Sequence, residues 1–274
     1  MFLLSCQEEG TTSQNKAGAL SPVDSPVPPP PDPSPVAADT QPTPARLAPQ
    51  ARIDSFRDQA FVTYRFEPTQ CDLRLYNPDG QGGTHTFASL AEVAAAEGKK
   101  LVLAMNGGMF QADRSAQGLL VAKGEVLSPL DRDTAGYGNF YLQPNGVWAI
   151  DRAGRAYVVP TQRYDSLARQ HDIHYATQSG PMMLIDSVIN PLFNDGSPNR
   201  HIRNAVGVTA AGEVVLAISQ REVTFFELSS LLRGMGCTQA LYLDGFVSRL
   251  YLPALSVGSL ADGAQLGPLI AIFD

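Results

Sequence analysis

The chain has little positive charge and no long apolar run. Charged residues make up 17% of its 274 residues, and the formal net charge is −7. Binding to the backbone of a nucleic acid requires clustered Lys and Arg, and the sequence contains no such cluster. We therefore expect no nucleic-acid partner. No segment is apolar for long enough to span a bilayer.

Cysteine is also scarce, with three residues at positions 6, 71 and 237. In an oxidising compartment Cys71 and Cys237 could form a disulfide. The other interpretation is two buried thiols, and the sequence favours neither.

The first 50 residues differ in composition from the rest. Prolines are dense over residues 22–49 and large apolar residues are almost absent, so this stretch is predicted to be a disordered linker. The preceding "FLLSC", ending at Cys6, resembles the end of a bacterial lipoprotein signal, although no basic or full apolar segment precedes it. Either the start codon is misassigned or the likeness is coincidental. The expectation is a secreted or periplasmic protein whose only membrane contact is a lipid anchor at Cys6.

Residues 51–274 have the length of one large domain, and their pattern indicates two helix-to-strand units. In each unit a Ser or Thr is followed three residues later by Glu, as in a capping box. An apolar strand then follows and ends in a polar residue and glycine. These features are Ser89 and Glu92 before a strand at 101–105, and Thr224 and Glu227 before a strand at 240–243.

Between the two units, short apolar runs separated by turn residues predict antiparallel hairpins. The runs are 140–143 with 147–150, then 156–159 after a turn at 151–154, and 206–209 with 214–219. The predicted class is α+β, a single domain with mixed, largely antiparallel β-sheets flanked by a few helices.

Two motifs combine glycine with polar side chains. In "AMNGGMF" (104–110), a strand runs into Asn106, Gly107 and Gly108, where backbone amides can approach a ligand closely. In "ATQSGPMML" (176–184), Gln178 and Ser179 offer hydrogen bonds before a bend at Gly180. Taken alone, each is more simply an ordinary turn.

Two further motifs carry charge at strand ends. In "HIRNAVGV" (201–208), Arg203 could hold two phosphate oxygens in a fork, or form an ion pair with a carboxylate such as Asp244. His201 could assist or lie on the surface. In "ALYLDGFVSRLYLP" (240–253), Asp244 leaves an apolar strand, which is a common position for a catalytic acid or base. A turn-initiating Asp is the alternative.

Together, "AMNGGMF", "TQSGP", "IRNAVGV", "ISQ" (218–220) and "LYLDG" resemble, in order and spacing, the phosphodiester glycosidase family. That family includes the enzyme that uncovers mannose 6-phosphate on lysosomal proteins. The likeness runs from Val62 to the C-terminus and is closest to the uncharacterised bacterial branch. Many relatives have Asp-Gly-Gly after the last strand, whereas Phe246 follows Gly245 here. A large aromatic residue there could reshape the sugar pocket, so the difference bears on the identity of the sugar more than on the type of reaction.

The resemblance implies hydrolysis of a sugar-1-phosphate diester. A phosphate monoester is a good leaving group, so one carboxylate and one cation could replace the two carboxylates of ordinary glycosidases. The expected catalytic residues are Asp244, as general base or stabiliser of the oxocarbenium-like centre, with Arg203 and Asn106 on the phosphate. The expected substrate contacts are Gly107, Gly108, Gln178, Ser179, Gly180, His201, Ser219, Gly245 and Ser248. No cofactor or metal is expected.

Two other functions remain open. "HDIH" (171–174), with Asp165 and Asp172 nearby, could belong to a metal-dependent phosphodiesterase, but its spacing does not match the strong zinc signature. The same cleft could also serve a non-catalytic module of the cell envelope that binds glycans.

Overall fold

Short strands dominate the computed structural model, which describes residues 48–77, 86–244 and 247–274. The strands are β1 (Gln50–Phe56), β2 (Gln59–Phe66), β3 (Asp72–Tyr76), β4 (Leu101–Asn106), β5 (Leu120–Ala122), β6 (Glu125–Ser128), β7 (Gly146–Asp151), β8 (Ala156–Pro160), β9 (Ile173–Ser179), β10 (Met182–Ile185), β11 (Val188–Ile189), β12 (Asn204–Thr209), β13 (Val214–Ser219), β14 (Cys237–Asp244), β15 (Leu250–Tyr251) and β16 (Leu269–Phe273). The α-helices are α1 (Phe87–Ala96), α2 (Tyr164–Gln170) and α3 (Phe225–Gly234). Cys6 and most of the predicted linker lie outside the described residues, so the division at residue 50 stays a prediction.

The strands form three sheets. The seven-stranded sheet has the order β1-β2-β13-β12-β14-β10-β11, the four-stranded sheet β15-β4-β16-β3, and the five-stranded sheet β6-β5-β9-β7-β8. Within the described residues, every pair of neighbouring strands is antiparallel. The predicted α+β class is confirmed.

The largest apolar cluster lies where the three sheets face one another. It includes Leu216 and Leu241 from the seven-stranded sheet, Leu103 and Ile272 from the four-stranded sheet, and Trp148 from the five-stranded sheet. Because alternate residues of a strand point to opposite faces, each sheet also has a second face to cover. Burial against two layers explains why so many strands read as continuous apolar runs.

One α-helix packs on the outer face of each sheet. Leu228, Leu231 and Leu232 of α3 pack with the seven-stranded sheet. Phe87 and Leu90 of α1 cover the four-stranded sheet, and α2 lies against the five-stranded sheet through a smaller cluster. Among the helices of the described residues, none is both long and apolar enough to cross a bilayer.

The two predicted helix starts have different outcomes. The capping box of Thr224 and Glu227 is confirmed at the start of α3. The prediction for Ser89 and Glu92 was wrong by one turn, because Thr86 is the N-cap and Ser89 is its partner within the helix. Both helices are followed by the predicted strands, β4 and β14, which end at Asn106 and Asp244.

The hairpins β7–β8 and β12–β13 are confirmed, but no hairpin joins residues 140–143 to β7. Residues Asn139–Tyr141 instead form a 3₁₀ turn, which buries the Phe140 ring and places it against Gly118. Burying this large ring explains why the apolar run does not continue as a strand. Neither Cys71 nor Cys237 forms a disulfide, and burial raises the pKa of the Cys237 thiol to about 12.

Candidate active site

Three polar residues at strand ends form one buried network. Nδ2 of Asn204, the first residue of β12, lies 3.0 Å from Oδ1 of Asn106 and 3.0 Å from its backbone oxygen. Oδ1 of Asn204 accepts a hydrogen bond of 2.9 Å from the backbone N–H of Asp244. The network therefore joins the four-stranded and seven-stranded sheets at the point where β4 and β14 end.

The side-chain amide of Asn106 has a partner for its oxygen but, among the described residues, none for its nitrogen. Its Oδ1 accepts a 2.9 Å hydrogen bond from the backbone N–H of Arg249. A backbone N–H can only donate, so this contact fixes which side-chain atom is the oxygen. Nδ2 is then buried with no partner among the described residues. Most buried polar atoms are hydrogen-bonded, so this donor is an exception, but Asn106 is itself fully buried and is not among the residues that line the cleft beside Asp244.

Asp244 opens into a cleft of about 300 Å³ that is also lined by Met109, Phe110, Arg114, Gln117 and Val247. Its side chain is largely enclosed, with 6% of the residue exposed. The ladder between β12 and β14 shifts register next to Asn204, which places Asp244 opposite that residue. Such irregularities commonly re-aim a side chain beside a functional site. The structure therefore places Asp244 at the end of a strand and among the residues that line a cleft, and its catalytic role stays a prediction.

A short turn places Arg114 in the same cleft. Phe110 and Ala116 form an isolated bridge, and Gln111 N–H donates to Ser115 O at 2.9 Å. The guanidinium carbon of Arg114 lies 5.1 Å from the centroid of the Phe110 ring. In the residues that the structure describes, no carboxylate forms an ion pair with Arg114.

Arg203 is not in this cleft. It is fully buried, and its guanidinium donates to Val223 O at 2.9 Å, to Tyr242 Oη at 3.2 Å and to Asn199 Oδ1 at 2.6 Å. The guanidinium carbon is 3.8 Å from the centroid of the Phe225 ring, at the start of α3. Burial lowers the pKa of Arg203 from its usual value.

The local reason is strand geometry. Arg203 and Asn204 are consecutive, so their side chains point to opposite faces of the sheet. Asn204 reaches the polar network, whereas Arg203 packs beneath α3 with Tyr242 and Phe225. Neither predicted role of Arg203, holding the phosphate or pairing with Asp244, matches these contacts. They correspond to a cation held by neutral acceptors and aromatic rings.

The glycines of the first two motifs pack tightly against neighbouring segments. The Gly107 N–H donates to Pro268 O at 2.7 Å, so this amide is already used. A Cβ at Gly108 would lie 2.8 Å from Thr177 Oγ1, and one at Gly180 would lie 2.6 Å from Phe140 O. At each of these positions a neighbouring atom leaves no room for a Cβ, which explains the glycine. None of the three is among the residues that line the cleft.

The polar side chains that were predicted to contact substrate also form hydrogen bonds with the protein itself. Gln178 joins β9 to the backbone of Leu119 and Asp131, and Ser179 Oγ donates to Leu243 O at 2.7 Å. Ser219 Oγ accepts the N–H of Arg203 at 3.0 Å. Ser248 Oγ donates to the backbone oxygen of Asp244.

Two predicted residues remain. His201 is on the surface, where its backbone pairs with Val223. Gly245 lies outside the described residues.

The histidines of "HDIH" lie apart from this cleft. Nδ1 of His171 is 3.6 Å from Oδ2 of Asp151, and His174 lines a separate cavity of about 350 Å³ with Asp72 and Arg152. Across the described parts of the chain, no three His, Cys, Asp or Glu side chains form a group that could hold a metal ion.

Comparison with known proteins identifies the family. Residues 99–263, more than half of the chain, match the family model described as phosphodiester glycosidase. The chain belongs to the phosphodiester glycosidase family. A relative in this comparison is the uncharacterized protein YigE of Escherichia coli strain K12, which is 30% identical over 194 residues, covering 69% of this chain and 73% of the relative.

Two solved structures share the fold of this phosphodiester glycosidase family member. One is the zebrafish N-acetylglucosamine-1-phosphodiester alpha-N-acetylglucosaminidase catalytic domain, auto-inhibited by its pro-peptide, with a TM-score of 0.59, 15% identity and 82% of each chain covered. The other is a putative exported protein of Burkholderia pseudomallei K96243, with a TM-score of 0.52, 14% identity, and 78% of this chain and 74% of that chain covered. At these identities the likeness concerns the fold alone.

Arg114 is the charged residue of the cleft that the sequence did not indicate. The sequence Asp113-Arg114-Ser115 is typical of an ordinary polar turn. Asp113 Oδ1 does accept hydrogen bonds from the backbone N–H and the hydroxyl of Ser115, as in such a turn. Arg114 shares the cleft with Asp244 because segments more than 100 residues apart in the chain meet there. No local sequence pattern predicts such a contact.

Proposed function

We propose that the chain hydrolyses sugar-1-phosphate diesters and releases the sugar from the phosphate. The observation that carries the proposal is the Asp244 carboxylate at the end of a buried strand, facing a cleft that also contains an arginine. Membership of the phosphodiester glycosidase family supports a hydrolase of this type. The name of the zebrafish protein, whose fold this chain shares, supports a sugar-1-phosphodiester as the class of substrate.

In the proposed reaction, water adds to the anomeric carbon and the bond from this carbon to the phosphate oxygen breaks. Asp244 accepts a proton from the water as general base, and its charge stabilises the oxocarbenium-like centre. The phosphate monoester leaves as an anion, so no second carboxylate is needed to protonate it. The products are the free sugar, the phosphate monoester and one proton.

The polar network has a supporting role in this proposal. Asn204 and Ser248 hold the backbone on either side of the Asp244 carboxylate, which restricts where that carboxylate can point. Asn106 contributes its Nδ2, which has no partner among the described residues, as a donor near the end of β14. Preorganised donors of this kind are effective because they need no rearrangement as charge develops.

The proposal is tested with alkyl phosphodiesters of several sugar 1-phosphates. Asp244→Asn is expected to lower kcat by about 100- to 10,000-fold, measured as release of free sugar, with an unchanged circular dichroism spectrum. Asp262→Asn is the matched control, because this exposed carboxylate pairs with Arg249 at 3.2 Å and does not line the cleft. Full turnover by Asp244→Asn would contradict the role of this carboxylate.

Two measurements separate the proposal from its alternatives. Hydrolysis in H₂¹⁸O is expected to label the sugar, whereas attack at phosphorus would label the phosphate. EDTA is expected to leave the rate unchanged, and a loss restored by one divalent ion would instead favour a metal-dependent phosphodiesterase. Binding of glycans without product release across the panel would favour a non-catalytic module.

A location in the cell envelope is part of the proposal. It is supported by the resemblance of "FLLSC" to a lipoprotein signal and by the Pro-rich composition of residues 22–49. Expression from the genomic locus is expected to give a protein in the membrane fraction that incorporates labelled palmitate. Cys6→Ser is expected to abolish the label, and a label that survives this change would exclude Cys6 as the anchor.

A further inference from the structure

We propose that Arg114 binds the phosphate of the substrate, in the role that the sequence suggested for Arg203. The proposal rests on the proposed function, because it names the group that receives the anionic part of a sugar-1-phosphate diester in the same cleft. Arg114 belongs to none of the motifs that indicated the family.

The first argument is the charge in the cleft. Of the described residues that line it, Asp244 and Arg114 are the charged ones, and they supply opposite signs. A sugar-1-phosphate diester needs an anion-binding group for its phosphate and a carboxylate near its anomeric carbon. Arginine suits the first task, because its planar fork can bind two phosphate oxygens at once.

The second argument is that the guanidinium of Arg114 is available. It is half-buried, and no hydrogen bond or ion pair occupies it among the described residues. The guanidinium carbon lies 5.1 Å from the centroid of the Phe110 ring, and its N–H groups have no acceptor in the part of the chain that the structure describes. The other arginines near the site are engaged, since Arg203 donates to backbone and side-chain oxygens and Arg249 pairs with Asp262.

The third argument is the backbone of the turn. Arg114 has a φ of 75°, in the left-handed region that residues with a side chain rarely adopt. Its N–H donates to Gln111 O at 2.9 Å, and Asp113 holds Ser115 on the other side. A glycine would suit this conformation better. Strained residues held by their surroundings are frequent at functional sites, and here the strained residue directs a cation into the cleft.

The test measures binding, so it does not depend on turnover. Glucose 1-phosphate, inorganic phosphate and the uncharged methyl glucoside are titrated into the full-length protein by isothermal calorimetry. Arg114→Gln is expected to weaken binding of both phosphate compounds by about 10- to 100-fold, the range for hydrogen bonds to a charged group. Arg152→Gln is the matched control, because Arg152 lines the separate cavity of about 350 Å³. This variant is expected to bind both phosphate compounds with wild-type affinity.

Arg114→Gly is a second variant that guards against misfolding. Glycine removes the guanidinium and suits the positive φ, so we expect the melting temperature to be maintained while phosphate binding falls as in Arg114→Gln. The assignment is overturned if either Arg114 variant binds glucose 1-phosphate with wild-type affinity. It is also overturned if Arg152→Gln loses as much affinity, or if the wild type binds neither phosphate compound.

The outcomes distinguish this proposal from the proposed function. Phosphate binding that depends on Arg114, in a protein that cleaves no diester, would contradict the hydrolase and support the anion site. Diester hydrolysis that requires Asp244 but has an unchanged KM in Arg114→Gln would contradict the anion site alone. If both proposals hold, Arg114→Gln raises KM while Asp244→Asn mainly lowers kcat.

Discussion

Asp244 lies opposite Asn204 across the ladder between β12 and β14, and its backbone N–H donates to Asn204 Oδ1 at 2.9 Å. The Nδ2 of Asn204 donates to Asn106 Oδ1 at 3.0 Å in the neighbouring sheet. A single amide side chain therefore ties the candidate catalytic strand end to the end of β4. The position of the carboxylate depends on this link between sheets.

Asn204→Ala is expected to lower both stability and turnover. The change removes bonds at both ends of a buried amide, and unsatisfied buried groups cost about 1–3 kcal/mol each. We expect a loss of about 2–4 kcal/mol in the free energy of unfolding, with reduced kcat at temperatures where the variant is folded.

Asn190→Ala is the control for that change. Asn190 is equally buried and donates to Met182 O at 2.9 Å, but it does not line the cleft. It is expected to lose stability while keeping kcat. Denaturant unfolding and sugar release measure the two effects, and normal kcat in folded Asn204→Ala would contradict the positioning role.

Arg203→Met is expected to lower stability without changing KM for a phosphodiester. It leaves acceptors such as the Tyr242 hydroxyl without their donor, which costs about 1–3 kcal/mol in the free energy of unfolding. The guanidinium is fully buried and bonded to protein, so substrate binding loses nothing directly. A raised KM with an unchanged melting temperature would show that Arg203 contacts substrate after all.

Asp72 is expected to contribute to stability at neutral pH and to lose that contribution in acid. Hydrogen bonds from Arg74, and then from Lys99, lower the pKa of its carboxyl from 3.8 to about 2. A carboxyl whose pKa is lower in the folded state stabilises the protein above the unfolded value, 3.8, and this stabilisation disappears as the pH falls through about 2.

The measurement compares the wild type with Asp72→Asn by urea unfolding at several pH values. The wild type is expected to be the more stable near pH 7, and the difference is expected to shrink between the two pKa values and to vanish below the folded one. A difference that is constant down to the lowest pH would show that the carboxylate charge is not responsible.

Thr224→Ala is expected to destabilise the start of α3. Thr224 is fully buried and its Oγ1 accepts the N–H of Glu227 at 3.1 Å, so the change should cost about 1–2 kcal/mol in the free energy of unfolding. Thr224→Ser keeps the cap and is expected to retain most of that energy. Equal losses in the two variants would indicate that the methyl group, rather than the cap, is what matters.

Local sequence was sufficient for several features. The capping box at Thr224, the glycines after Asn106 and Asp244, and the apolar strands before them all depend on neighbouring residues. The same local reasoning placed the start of α1 three residues too late, because two overlapping patterns, at Thr86 and at Ser89, compete for the same helix. The strand predicted at residues 140–143 was also wrong, because an apolar run does not reveal that the Phe140 ring is buried in a turn.

By itself the sequence determined the class of fold and the strand that carries the candidate carboxylate, because apolar periodicity and turn residues act over a few positions. Only the tertiary structure decided which arginine shares a cleft with that carboxylate. The side chains of Arg203 and Asn204 point to opposite faces of the sheet, and the register of β12 against β14 directs Arg203 under α3. Arg114 reaches the cleft through a turn that packs beside a strand end distant in sequence. Which charged side chains meet is set by sheet register and the contact between sheets.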